Sequence, residues 1–299
     1  MLKNLHPSKQ NTFKYLLIGS NGLLGRSLKK IIPKNQTKTL SRNNAEININ
    51  LENFSKLIRI FKKYKFSYVI NCAAMTNLNK CEQNYEKCKK INSLLPKILS
   101  ELSTKYDFQL IQISTDQFYK NKRFKLNHEK DKIFPINKYA KSKILCERYV
   151  KKNKKNLIIR TNFTGYKNDK NNIPFVDWLT KSIIKKVKIN LYNDFYVSTL
   201  DVDTCAKLII ELINSRASGI YNCAAKQPIT KKDFALYFCK KINKKIFYNE
   251  VSVISDRVKR QRYLGLNVKK IEKKLVKKMI SPYKAIDNLA KLYLKRKRK

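Results

Sequence analysis

A chain of 299 residues with 42% hydrophobic content can bury a large core, which excludes a disordered protein. No apolar run reaches the roughly eighteen residues of a membrane helix, and the polar start Met1-Leu2-Lys3-Asn4 is no secretory signal, so the reading is a cytoplasmic protein. The formal charge of +46 comes from lysines spread over nearly every predicted element. This predicts attraction of anionic nucleotides and no dedicated nucleic-acid site.

Residues 1–13 are polar and read as a loose arm. Tyr15–Ile18 is continuously apolar, as in a parallel strand covered on both faces, and leads through Gly19, Asn21, Gly22, Leu23, Leu24 and Gly25 into a helix with apolar Leu28, Ile31 and Ile32. Gly19 permits the turn, Gly22 lets the backbone approach a pyrophosphate, and Gly25 lets the helix pack on its strand. The helix N-terminus then offers N–H groups to anionic oxygens. Thr37–Leu40 is a second strand ending at Ser41 and Arg42. At that position an acid would bind the ribose of NAD and a base the 2′-phosphate of NADP, so the pair tilts toward NADP. Phe54–Tyr64 has helical spacing, and Tyr68–Ala74 is a strand whose small terminal residues Cys72, Ala73 and Ala74 leave room for a cofactor. Cys81–Leu102 reads as one long helix with Asn92 in its middle, and Phe108–Ile113 as the next strand. This alternation predicts a parallel sheet built by right-handed crossovers.

The strand over 108–113 runs into Ser114-Thr115-Asp116, at the end where such sheets hold reacting groups. Residues 121–137 read as a loop over the cleft. Tyr139 and Lys143 then fall on one helical face. The ammonium is expected to draw the phenol toward a working pKa, so that Tyr139 can protonate a carbonyl oxygen held by Thr115. A strand over 156–163 and helices over 174–187 (with the sole tryptophan, Trp178) and 202–213 follow. Gly219–Ala224 returns to the sheet, and Thr230 caps a helix over 231–242. The remainder carries Arg257, Arg260, Arg262 and two lysine-rich helical segments, ending in the basic block 295–299, which reads as a solvated tail. Seven cysteines without a Cys-x-x-Cys pair, and only His6 and His128, predict reduced core thiols and no metal site. The expected fold is α/β. A Rossmann-type doubly wound parallel sheet occupies 14–165, with 202–225 returning to it, and a smaller C-terminal substrate-binding region occupies 166–201 and 226–299.

Gly19-Ser-Asn-Gly-Leu-Leu-Gly25, Val69-Ile-Asn-Cys-Ala-Ala-Met-Thr76, Ile113-Ser-Thr-Asp116 and Tyr139-Ala-Lys-Ser-Lys143 followed by Glu147 together resemble the extended short-chain dehydrogenase/reductase family, in its dTDP-4-dehydrorhamnose reductase branch. The resemblance implies NADPH- or NADH-dependent reduction of a nucleotide-linked 4-keto sugar in deoxysugar or cell-surface polysaccharide biosynthesis. Tyr139 would be the acid, Lys143 would grip the nicotinamide ribose, and Thr115 would polarise the keto group. It implies cofactor contacts from the glycine turn, Ser41, Arg42, Asn50, Leu51, Cys72, Ala73, Ala74, Thr76 and Asn92. Substrate contacts would come from Asp116, Asn162, Phe163, Trp178, Arg260 and Arg262. The chain departs from the family pattern at Asn50, Asn79, Thr199 and Gln261. Epimerase or dehydratase chemistry with tightly held NAD, and a non-catalytic binding subunit, are the alternatives on the same fold. An RNA-associated protein is suggested by charge alone. The oligomeric state, a homodimer included, stays open.

Overall fold

The apolar run at Tyr15–Ile18 forms the buried carboxyl-terminal half of a strand that begins at Asn11. The computed structural model describes residues 11–120, 125–167 and 173–297, so the expectations for 1–10, for 121–124 and for Arg298 and Lys299 lie outside the described residues. Seven parallel strands lie in the order Gly219–Cys223, Leu157–Thr161, Gln109–Ile113, Tyr64–Asn71, Asn11–Ile18, Thr37–Ser41 and Ile47–Asn48. The order reverses between Asn11–Ile18 and Tyr64–Asn71, and at that switch point a crevice opens beyond the carboxyl ends of the strands. Cys72 N donates to Ile18 O there (3.0 Å), which joins the glycine turn to the end of the neighbouring strand.

Alternation along strand Asn11–Ile18 supplies both cores. Tyr15 and Leu17 face Leu28, Leu208 and Ile209 on one side, while Leu16 and Ile18 face Leu57, Phe61 and Leu99 on the other. A third apolar cluster joins helices Phe175–Ile184, Lys231–Lys241 and Pro282–Lys297 through Leu179, Phe234, Phe238, Ile286 and Leu289. Leu266, Ile271 and Met279, from late in the chain, pack into the first core instead. At the sheet edges, Asn222 N donates to Glu129 Oε1 (2.9 Å) and Lys270 Nζ to Ile220 O (2.5 Å). The opposite edge strand, Ile47–Asn48, is two residues long.

Several boundaries differ from expectation for local reasons. Asn11–Phe13 are strand rather than arm, because they pair with Tyr64–Phe66. The helix expected over 81–102 is broken: Asn84 caps a new start by accepting from Lys87 N, and a π-helical turn at Lys90–Leu94 precedes Leu95–Lys105. The strand over 156–163 stops at Thr161, and Phe163–Thr164 pairs separately with Leu200–Asp201. The described part of the loop over 121–137 does not line the cleft; Asn127 binds Gly265 and Tyr263 carbonyls, and Arg160 takes the Glu129 carbonyl. The basic block at 295–299 continues as helix to Lys297, and Arg296 lies 4.5 Å from the Tyr166 ring centroid. Thr230 does cap its helix, accepting from Asp233 N at 2.9 Å. All seven cysteines are free thiols, and every one except Cys72 is buried.

Candidate active site

Gly19 has φ +78°, and a Cβ on it would stand 2.8 Å from Ala73 N, so glycine is required both by conformation and by the adjoining strand end. A Cβ on Gly25 would overlap the Gly19 carbonyl oxygen and lie 2.7 Å from Ser20 Cα, so the helix can approach this closely only with glycine there. Gly22, the N-cap of helix Leu23–Lys29, contributes no side-chain acceptor to the first turn. Buried Ser20 has a hydroxyl without a partner. Open donors beside small side chains at Cys72, Ala73 and Ala74 fit the pyrophosphate of a dinucleotide.

A cavity of about 650 Å³ begins at this turn and reaches into the third apolar cluster. Gly22, Leu23, Leu24, Cys72, Ala73, Ala74 and Thr76 line its cofactor end; Thr115, Asp116, Tyr139 and Lys143 its middle; Asn162, Phe163, Trp178 and Arg260 its far wall. Tyr139 is the second residue of helix Lys138–Val150, whose N-cap Asn137 accepts from Ala140 N (2.7 Å), and only 7% of it is exposed. Burial holds its phenol well above the ordinary tyrosine range. The hydrogen bond with Thr115 opposes that rise and the charge of Asp116 adds to it. The expected lowering by Lys143 is therefore corrected: in this structure the ammonium donates to Ile113 O (2.7 Å), and desolvation governs the phenol. A phenol held protonated is a donor, as reduction of a carbonyl needs.

Asp116 is 1% exposed, with Asn162 Nδ2 donating to Oδ2 (3.0 Å) and Gln117 Nε2 to Oδ1 (2.8 Å). Burial pushes it up to about 6 against those bonds and the Lys231 charge. Since the folded value lies above the unfolded one, the folded state binds this proton more tightly, and the group's contribution to stability falls as pH rises from about 4 to about 6. Asp116→Asn should abolish that slope. In denaturant titrations the variant should gain on the wild type by up to about 3 kcal/mol between pH 4 and pH 7; a pH-independent difference would mean a carboxyl titrating as if in water.

The remaining expected residues lie off the cavity. Asn21 donates to the Asn43 carbonyl, and Ser41 O accepts from Ile49 N at 3.0 Å. Arg42 and Asn50 are exposed, while Leu51 is buried in the second core. Asn92 is buried with its amide engaged by Met75 N, Met75 O and Ser142 Oγ (2.8, 2.9 and 3.1 Å), so it holds the segment lining the cofactor end. Arg262 Nη2 stands 3.1 Å from Asp194 Oδ2. Lys231, Phe175, Tyr192 and Phe195 line the cavity without having been singled out in the sequence; Lys231 reads there as one more lysine after a cap.

The chain matches the family described as RmlD substrate binding domain over residues 13–293. It belongs to that family. Among curated relatives, a probable low-salt glycan biosynthesis reductase of Haloferax volcanii is 25% identical over 249 residues, covering 80% of this chain and 83% of the relative. The crystal structure of a hypothetical dTDP-4-dehydrorhamnose reductase from Sulfolobus tokodaii superposes with TM-score 0.79 at 27% identity, over 90% of this chain and 97% of that one. A dTDP-4-dehydrorhamnose reductase from Bacillus anthracis, in complex with NADP, superposes with TM-score 0.84 at 21% identity, over 93% and 98%, a likeness of fold.

Proposed function

We propose that this chain uses NADPH to reduce the keto group of a nucleotide-linked 4-keto-6-deoxy sugar, in the making of a deoxysugar for polysaccharide. The observation that carries the reading is that Thr115, Tyr139 and Lys143 line one cavity with the glycine turn. Bound NADPH supplies the hydride. Thr115 and Tyr139 hold the substrate's carbonyl oxygen, and Tyr139 gives that oxygen its proton as charge develops. Lys143, released from the Ile113 carbonyl, fixes the nicotinamide ribose and meets the charge left on Tyr139. Support for NADPH over NADH lies beside the second strand. The nearby acid, Glu46, already accepts from Thr39 N (2.8 Å) and Lys38 Nζ (3.2 Å), which leaves exposed Arg42 for a 2′-phosphate.

The test is NADPH oxidation with dTDP-, UDP- and GDP-linked 4-keto sugars. One of these should be consumed with loss of the nicotinamide absorbance. Binding of NADPH with indifference to all of them would overturn the reading, as would tightly held NAD in the purified protein.

A further inference from the structure

Lys231 enters the cavity from the third apolar cluster and takes no part in the chemistry above. It is the first residue of helix Lys231–Lys241, and the Thr230 cap fixes where its side chain starts. Its ammonium stands 4.5 Å from the Phe175 ring centroid and 5.9 Å from that of Phe234, with Arg260 on the same cavity wall. Asp116, the acid that acts on Lys231, is engaged by Asn162 and Gln117, and Asp256 is held by Arg260 Nε (2.6 Å) and the Tyr192 hydroxyl (3.1 Å). Among the described residues, no oxygen accepts a hydrogen bond from Lys231.

Burial, with the like charge of Arg260, brings Lys231 down to about 8 against the attraction of Asp116. A half-buried ammonium to which no described residue offers an oxygen acceptor suits an anionic oxygen, and ring faces recover only part of what water supplies.

We propose that Lys231 is a substrate-binding residue that takes a phosphate oxygen of the nucleoside diphosphate, on the phosphate that carries the sugar. It lines the same cavity as Asp116, next to the reacting pair, and Arg260, which suits the junction of sugar and diphosphate. The assignment rests on the sugar-nucleotide reading.

Titration of the Trp178 fluorescence tests it, because the sole tryptophan lines the same cavity. The probes are dTDP, dTMP and UDP, with NADPH affinity measured separately as proof of an intact fold. Lys231→Met should weaken dTDP about ten- to hundredfold, leave dTMP and NADPH nearly unchanged, and so remove most of the preference for diphosphate over monophosphate. Lys231→Arg should restore much of it. Lys231→Gln replaces the methionine variant if that one does not bind NADPH. A Met or Gln variant that binds NADPH and still holds dTDP as the wild type does would overturn the assignment while leaving the sugar-nucleotide reading intact. A wild type that holds NADPH but neither dTDP nor UDP would overturn both.

Discussion

Tyr139→Phe is expected to lower kcat by about 10²–10⁴-fold, the range for loss of a positioned proton donor, with NADPH affinity unchanged. The ring packs against Cys81, Cys88, Met75 and Leu78, and phenylalanine fills that space equally well. What disappears is the hydroxyl that faces the same cavity as Thr115, just beyond strand Gln109–Ile113. Because burial keeps this phenol protonated, wild-type turnover should not rise as pH climbs through neutrality, since no deprotonation is needed to prepare it. Single-turnover reduction followed at the nicotinamide band reads the step directly. Retained turnover in the variant would remove Tyr139 from the reaction.

Glu147→Ala should destabilise the protein by about 3–5 kcal/mol, because it strands a buried guanidinium. Arg160 Nη2 lies 2.6 Å from Glu147 Oε2, and both side chains are under 5% exposed. Arg160 also donates to the Tyr119 hydroxyl (2.7 Å), and Ser114 Oγ donates to Glu147 Oε1 (2.5 Å). The pair thus bolts the Tyr139 helix to the strand beside Thr115, so the same variant should lose activity as well as stability. Replacing both partners by methionine should recover much of the loss, since a desolvated pair is costly in itself. Urea titration decides the matter. A cost under about 1 kcal/mol, typical of exposed pairs, would mean that water reaches the site.

Local chemistry made some of this legible in the sequence. Tyr15–Ile18 is apolar throughout because both faces of its strand are covered, and glycines at 19 and 25 are needed where backbones nearly touch. Tyr139 and Lys143 gained meaning from their place after the Ser114-Thr115-Asp116 strand end, and they line one cavity with it. Other features depend on partners far along the chain. Asn11–Phe13 carry too few apolar residues to announce a strand and are held by Tyr64–Phe66. The two-residue strand Ile47–Asn48 is too short to show a period. Asn162 leaves its strand to bind Asp116 and Thr199, and the charge on Lys231 matters only because the fold turns it inward. In a chain with 67 lysines and arginines, no pattern marks which one that is.

The margins of the sheet bear on how copies of this chain can meet. Growth of a sheet by adding a strand from another molecule needs a row of free amide and carbonyl groups. On the Gly219–Cys223 margin the Glu129 and Lys270 side chains occupy such groups, and the far margin ends after Asn48. Along these two margins of the seven-stranded sheet a second copy finds few free backbone groups, which works against its growth edge to edge.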